Sequence, residues 1–171
     1  MGVGGIGEEI RRRLAPFEVT VTRVGSAARD DASGHVHGSD ELVRLAPAHD
    51  VVIVITPLTD ATRGLIGADV LAALPDGALV VNVARGAVVD TEALTREVVA
   101  GRLRAALDVV DQEPLPAGHP LWGAPGAIIT PHVGGNTGAF PPRILALLRR
   151  QVGLLGRGAE PENLVRRGPW A

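Results

Sequence analysis

At 171 residues, with 46% hydrophobic residues and a formal net charge of −2, the chain is long enough for one domain with a substantial core and lacks the basic excess of a nucleic-acid or membrane-surface binder. All 17 basic residues are arginines, which reads as compositional bias, and the absence of cysteine excludes disulfides and thiol catalysis and fits a reducing cytoplasm. No apolar run reaches the roughly 18 residues a membrane helix needs, and no charged-then-apolar leader follows Met1.

In chain order, a glycine-rich turn opens the sequence and a helix is predicted over Glu8 to Leu14, followed by an apolar strand at Val19 to Val24. The polar stretch Gly25 to Gly38 reads as a surface loop with at most a short strand at His35-Val36. A helix over Ser39 to Leu45, capped by Ser39, leads to a strand at Val51 to Ile55, a helix over Ala68 to Ala73 and a strand at Leu79 to Val83. Asp90 or Thr91 caps a helix over Thr91 to Ala100 that Gly101 ends, and strands follow at Leu103 to Leu107 and Ala127 to Ile129. A longer apolar helix, Ile144 to Leu155, stands behind Pro141-Pro142, with a polar tail through Pro161-Glu162-Asn163. Short Val/Ile/Leu runs alternating with helices predict an α/β fold, a Rossmann-like doubly wound parallel sheet with strands buried on both faces and ligands at the strands' carboxyl ends.

The opening Gly2-Val3-Gly4-Gly5-Ile6-Gly7 has the spacing of a dinucleotide-binding turn. Gly2 would permit the tight turn, Gly4 would let backbone approach a pyrophosphate, and Gly7 would let the helix pack closely, with the helix amino end aimed at the phosphates. An NAD site places a carboxylate about 20 residues further on. That position falls near Gly25, in Arg23-Val24-Gly25-Ser26-Ala27-Ala28-Arg29, where no acid appears before Asp30. Arginine and serine there suit a 2′-phosphate, so NADP(H) is favoured over NAD(H), the other reading being that Arg23 and Arg29 are solvated charges.

Three segments each deliver one reactive side chain behind an apolar strand: Asn82-Val83-Ala84-Arg85-Gly86, Asp108-Val109-Val110-Asp111-Gln112-Glu113-Pro114 and Pro131-His132-Val133-Gly134-Gly135. A forked guanidinium holds a carboxylate and polarises a neighbouring carbonyl; an imidazole passes a proton near neutral pH; a carboxylate beside it orients the ring and favours its protonated form. His35, His37, His49 and His119 read as structural. The pair His35-x-His37 is weighed as a metal motif and set aside, since no carboxylate or thiol cluster supports it in the sequence, and no metal is expected. Arg11-Arg12-Arg13 reads as a solvated face, Trp122 as a packing anchor.

Together these segments resemble the D-isomer-specific 2-hydroxyacid dehydrogenase family, from Gly2 to about Arg166. The resemblance implies catalytic roles for Arg85, Glu113 and His132, and a cofactor surface of Gly2, Gly4, Gly5, Ile6, Gly7, Ser26, Arg29, Thr56, Pro57, Val83, Ala84, Asp108, Gly134 and Gly135. Asp108 would border the nicotinamide, its other reading being a strand-end cap. The run Thr56-Pro57-Leu58-Thr59-Asp60-Ala61-Thr62-Arg63-Gly64-Leu65-Ile66 matches a stretch the family keeps after its fourth strand. The resemblance further implies hydride transfer to a small 2-keto acid of the glyoxylate or hydroxypyruvate type, in a cytoplasmic homodimer. Residues 1–137 would form the dinucleotide-binding domain, and 138–171 a helix and tail returning to a substrate domain. Only Met1 precedes Gly2, so the expectation is a fragment of a longer protein or a truncated product, without the first strand and the substrate domain. The alternative is a truncated nucleotide-binding module without turnover.

Overall fold

The computed structural model describes residues 1–162; the end of the predicted tail, from Asn163 through Arg166 to Ala171, lies outside the described residues. The chain forms two compact units, Met1–Val133 and a second from Gly134 onward. The first holds, in order, α1 (Gly5–Leu14), β1 (Arg29–Asp31), β2 (Gly34–Val36), α2 (Leu42–Leu45), β3 (Val51–Val54), α3 (Ala68–Ala73), β4 (Leu79–Asn82), α4 (Thr91–Val99), β5 (Arg104–Leu107) and β6 (Ala127–Ile129); the second holds α5 (Phe140–Leu155).

The sheet is parallel, with spatial order β3-β4-β5-β6. Its register aligns Val54 with Asn82, Asn82 with Leu107, and Leu107 with Ile129, so one row of residues marks the carboxyl edge. The loops that begin at Ile55, Val83, Asp108 and Thr130 all leave from that row. Val54, Val80, Ala105 and Leu107 share one buried cluster with Val70 and Leu71 of α3 and Leu94 and Val98 of α4. Removing Leu71 or Val80, both fully buried, from this apolar layer would forfeit about 2 kcal/mol of transfer free energy each before any cavity cost. α4 is capped by Asp90, whose Oδ1 accepts from the Ala93 amide at 2.9 Å, and it stops where Gly101 adopts φ +76°. No helix among the described residues is long and apolar enough to cross a membrane.

Four expectations are corrected. Strand burial alternates rather than covering both faces: Val80 and Leu107 are buried, whereas Leu79, Val81 and Ala106 are partly accessible and Ile128 is exposed. Val19 to Val24 is not a strand; only Val24 makes a bridge, to His37. Its neighbour in the fold is the backbone of Met1-Gly2, which bonds β3 on one side (Met1 N to Ile53 O 2.7 Å, Ile55 N to Met1 O 3.0 Å) and Val24 on the other (Gly2 N to Val24 O 2.9 Å). Beyond that point a groove of about 560 Å³, bordered by Val19, Val21, Val51 and Ile53, separates the segment from β3, so its amides find no ladder. In Gly25 to Gly38 the short strand expected at His35-Val36 is present as β2, but it pairs with an unexpected β1 in a hairpin closed by Asp31 Oδ1 accepting from the Ser33 amide at 2.8 Å. Finally, Gly38 rather than Ser39 precedes the turn into α2, its amide held by Glu41 Oε1 at 2.9 Å. In the second unit α5 starts at Phe140, because prolines in a first helical turn forgo amides that have no partner there.

Candidate active site

Gly2 turns the chain out of its pairing with Val24 and β3 at φ +98°, a conformation that suits glycine. A methyl group on Gly7 would strike the Gly2 carbonyl, so the start of α1 lies directly on the turn. Around Gly4 and Gly5 the space is open to at least 4 Å. No side chain caps α1 at Gly4, which leaves its first amides and the positive end of a ten-residue dipole facing that space. The turn at Gly2, Gly4, Gly5 and Gly7 thus leaves room for an anionic group at the start of α1. The arginines further along α1 are paired with acids on their own helix, Arg11 with Glu8, and Arg12 and Arg13 with Glu9, as a solvated face should be.

At the far side of the turn, Arg23 and Arg29 separate in role. Arg23 donates two hydrogen bonds to Asp31, at 2.7 and 2.6 Å, and this guanidinium, with the Ser33 amide, lowers the Asp31 carboxyl to about 2. Arg23 is thus committed to the hairpin rather than to a ligand. Arg29 is exposed, donates to the Ala27 carbonyl at 3.3 Å, and carries its Nη1 2.8 Å from where a Gly25 Cβ would stand. Ser26 is exposed beside it. The nearby carboxylate, Asp30, is bonded to His35 at 2.8 Å.

Thr56 and Pro57 follow β3. Thr62 folds the loop behind them, its Oγ1 donating to the Pro57 carbonyl and accepting from the Thr59 amide, both at 2.7 Å. Gly64 and Ile66 then donate to the carbonyls of Ala87 and Val88, latching this loop to the segment after Arg85.

Arg85 is exposed in the loop beyond β4, with Nη1 donating to the Ala84 carbonyl at 2.6 Å. The turn that presents it is built by Asn82, a buried polar residue that sequence reasoning quoted without a role. Its Nδ2 donates to the Arg85 carbonyl at 3.0 Å, and its Oδ1 accepts from the Ala84 amide at 3.1 Å. Val83 is exposed and Ala84 buried on either side of that clasp. Gly86 lies against the next loop: a methyl group there would collide with the Val110 carbonyl and the Asp111 amide. Gly86→Ala should therefore displace the segment leading to Glu113, destabilising by about 1–3 kcal/mol. A thermal melt checks this, and an unchanged Tm would count against the close approach.

His132 follows β6 and Glu113 lies in the loop after β5; His132 Nδ1 and Glu113 Oε2 are 2.9 Å apart. The histidine holds a left-handed backbone, φ +54°, a conformation found in few residues other than glycine and concentrated at functional positions. Asp108 fixes this turn: its Oδ1 accepts from Thr130 Oγ1 at 2.6 Å and from the Val133 amide at 2.9 Å. The strand-end role weighed for Asp108 is thus what the geometry displays, and Thr130, which the sequence did not single out, completes it. Glu113 is held below the usual carboxylate range, first by its hydrogen bond to His132, then by the Val110 amide (3.1 Å) and by the charges of His132 and Arg85. The charge of Arg85 is thus felt at Glu113.

A lowered folded-state pKa stabilises the fold at pH above the free value of 4.5, and that contribution is lost as pH falls through the folded value. Wild type should out-melt Glu113→Gln above about pH 4.5, and the gap should close at lower pH; a pH-independent gap would mean that the pair is not the cause.

The remaining histidines outside the hairpin are structural. His49 bridges Leu45 O and Thr22 Oγ1 at 2.7 Å each, and His119 accepts from the Leu121 amide at 3.3 Å. Trp122 is not the packing anchor expected; it is 54% exposed, whereas adjacent Leu121 is buried. Gly134 and Gly135 open the second unit. The groove beside Met1, though large, is lined by none of Arg85, Glu113 or His132.

A profile described as D-isomer specific 2-hydroxyacid dehydrogenase, NAD binding domain, matches residues 1–134. A glyoxylate reductase of Thermofilum pendens is 34% identical over 168 residues, which is 96% of this chain and 50% of that protein. Among solved structures, a D-isomer specific 2-hydroxyacid dehydrogenase from Xanthobacter autotrophicus Py2, in complex with NADPH and MES, superposes with a TM-score of 0.86 at 34% identity, covering 96% of this chain and 68% of that one. An NADPH-dependent glyoxylate/hydroxypyruvate reductase from Sinorhizobium meliloti, in complex with NADP and malonate, gives 0.82 at 31% identity, covering 98% and 54%. The chain spans about half the length of the curated relatives it matches.

Proposed function

The chain belongs to the D-isomer specific 2-hydroxyacid dehydrogenase family, and from that premise we propose that it carries the cofactor-binding and proton-transfer half of an NADP(H)-preferring reductase of a small 2-keto acid, of the glyoxylate or hydroxypyruvate type. The observation that carries this reading is the 2.9 Å pairing of His132 with Glu113 within the electrostatic reach of Arg85. Arg85 binds the acid's carboxylate and draws electron density toward the keto oxygen. His132 gives its proton to that oxygen as the carbonyl carbon is reduced, and takes it back in the reverse direction. Glu113 holds the ring through Nδ1, which leaves Nε2 as the nitrogen that faces substrate. Bound nicotinamide supplies the hydride. Gly2, Gly4, Gly5, Ile6 and Gly7 hold the pyrophosphate, with Thr56, Pro57, Val83, Ala84 and Asp108 as further cofactor contacts.

Arg29, exposed, in no ion pair among the described residues although its charge is felt at Asp31, and set over Gly25 beside Ser26, supports the phosphorylated cofactor. Arg29→Ala should weaken NADPH binding about tenfold while changing NADH binding less than twofold, since one charge-assisted contact is worth about 1.5–3 kcal/mol at most. Fluorescence titration reads both, and an equal loss for the two cofactors would remove the preference. A row of exposed apolar residues on α5, Ile144, Leu148, Val152 and Leu155, supports a homodimer, and the lack of cysteine a cytoplasmic setting.

The decisive assay adds glyoxylate or hydroxypyruvate to the protein with NADPH and follows cofactor oxidation. Oxidation supports the reductase. Tight NADPH binding with no oxidation favours a second reading, a nucleotide-binding module without turnover. That reading is motivated by the exposure of His132 and Glu113, 46% and 39%, which leaves the pair wet.

A further inference from the structure

The β1–β2 hairpin gathers a second set of polar groups. His35 and His37 are two residues apart along an extended segment whose intervening Val36 is fully buried, so both imidazoles emerge on the opposite, solvent side. Their rings meet edge to face with centroids 4.6 Å apart. Immediately after them the chain turns at Gly38, and Glu41 returns to the same place. One of its oxygens is anchored by the Gly38 amide at 2.9 Å, and the other lies 3.1 Å from His37 Nδ1. One donor atom each from His35, His37 and Glu41 falls within 4.8 Å of the others. The carboxylate that the sequence did not supply to the His-x-His pair is thus delivered by the fold.

We propose that His35, His37 and Glu41 bind a borderline divalent transition cation, with zinc as the representative, at a site separate from Arg85, Glu113 and His132. Two imidazoles and one carboxylate with a water in the fourth position are a donor set that zinc accepts. With metal–nitrogen and metal–oxygen bonds of about 2.0–2.1 Å, two tetrahedral ligands stand about 3.3 Å apart. His37 Nδ1 and Glu41 Oε2, at 3.1 Å, are already near that spacing. The cation takes the place of the proton they share, and that proton is released to solvent. Asp30, 2.8 Å from His35 Nδ1, holds that ring so that Nε2 is presented, the carboxylate–histidine–metal arrangement that fixes ring orientation. His35 and Asp30, with side chains 51% and 84% exposed, can move together over the remaining distance with their hydrogen bond kept. The competing claim on Glu41 is its ion pair with Arg44, an exposed side chain that can be released to water.

The test is a titration of untagged, chelator-stripped protein with zinc chloride, read by calorimetry and by the ring-nitrogen NMR signals of the histidines. One equivalent should bind with micromolar affinity, shifting the signals of His35 and His37 together, and the melting temperature should rise. His37→Asn should weaken that equivalent by at least about 100-fold, and Asp30→Asn by about tenfold. His35→Asn, an exposed change that leaves the core untouched, serves if His37→Asn folds poorly. His132→Gln should leave the same equivalent intact. The proposal is overturned if no saturable binding occurs in the micromolar range, if the shifts fall on His49, His119 or His132 instead, or if His35→Asn and His37→Asn bind zinc as wild type does.

Discussion

Replacing His132 by asparagine should lower kcat for keto-acid reduction by about 10²–10⁴-fold while NADPH affinity stays within about twofold. Asparagine is chosen because it tolerates the left-handed backbone that His132 adopts at φ +54°, so the turn held by Asp108 and Thr130 survives and the loss reports chemistry. An amide can still donate a hydrogen bond but cannot deliver a proton. Glu113→Gln should cost less, because its amide can keep orienting the ring while losing the charge that favours the imidazolium. Steady-state rates with direct cofactor titration separate the two effects. A drop in kcat below tenfold in the histidine variant would remove His132 from the proton path.

Arg85→Ala should cost about 10²–10³-fold in kcat/KM, the scale of losing one preorganised donor at a developing oxyanion, or about 3–4 kcal/mol. Within the chain Arg85 spends one donor on the Ala84 carbonyl, and the clasp of Asn82 around its backbone is independent of its side chain. The loop should therefore stay in place when the guanidinium is removed. Arg85→Lys restores the charge without the fork and should recover only part of the loss. Equal rates for lysine and arginine would mean that a point charge suffices. Wild-type rates for alanine would place substrate binding elsewhere.

Where buried side chains dictated the backbone, the sequence was readable. β3 to β6 fall within a residue of their predicted spans because Val, Ile and Leu runs bounded by glycine, proline and acids leave few other choices. The Arg85, Glu113 and His132 loops follow from those strands, since parallel pairing sends all of them from one edge. In the hairpin, β2 was legible at His35-Val36, and β1 was not, for the opposite reason. Arg29, Asp30 and Asp31 are all exposed and polar, and that strand is held by backbone pairing, the Arg23–Asp31 ion pair and an Asx turn, none of which leaves an apolar period. Val19 to Val24 failed in the other direction, having the right composition but, among the described residues, a groove between most of it and β3. The supports of the site, namely Asn82 for Arg85, Asp108 with Thr130 for His132, and Gly86 against Val110, depend on contacts between loops that are distant in sequence. Asn82 at the end of a strand otherwise composed of apolar residues was the one legible hint, since a buried amide has to find partners.

The four strands lie side by side in the order in which a ribosome makes them. Each newly emerged strand therefore finds its hydrogen-bonding template already laid down, and none has to be inserted between two earlier ones. Synthesis and assembly can proceed in step, with the Arg85 loop in place once β4 has docked. Glu113 comes next, and the histidine arrives last, behind β6. A nascent chain that stops short of Thr130 would have the sheet and the glycine turn but not His132, so on the proposed reading the proton carrier is the last of the three groups to be made.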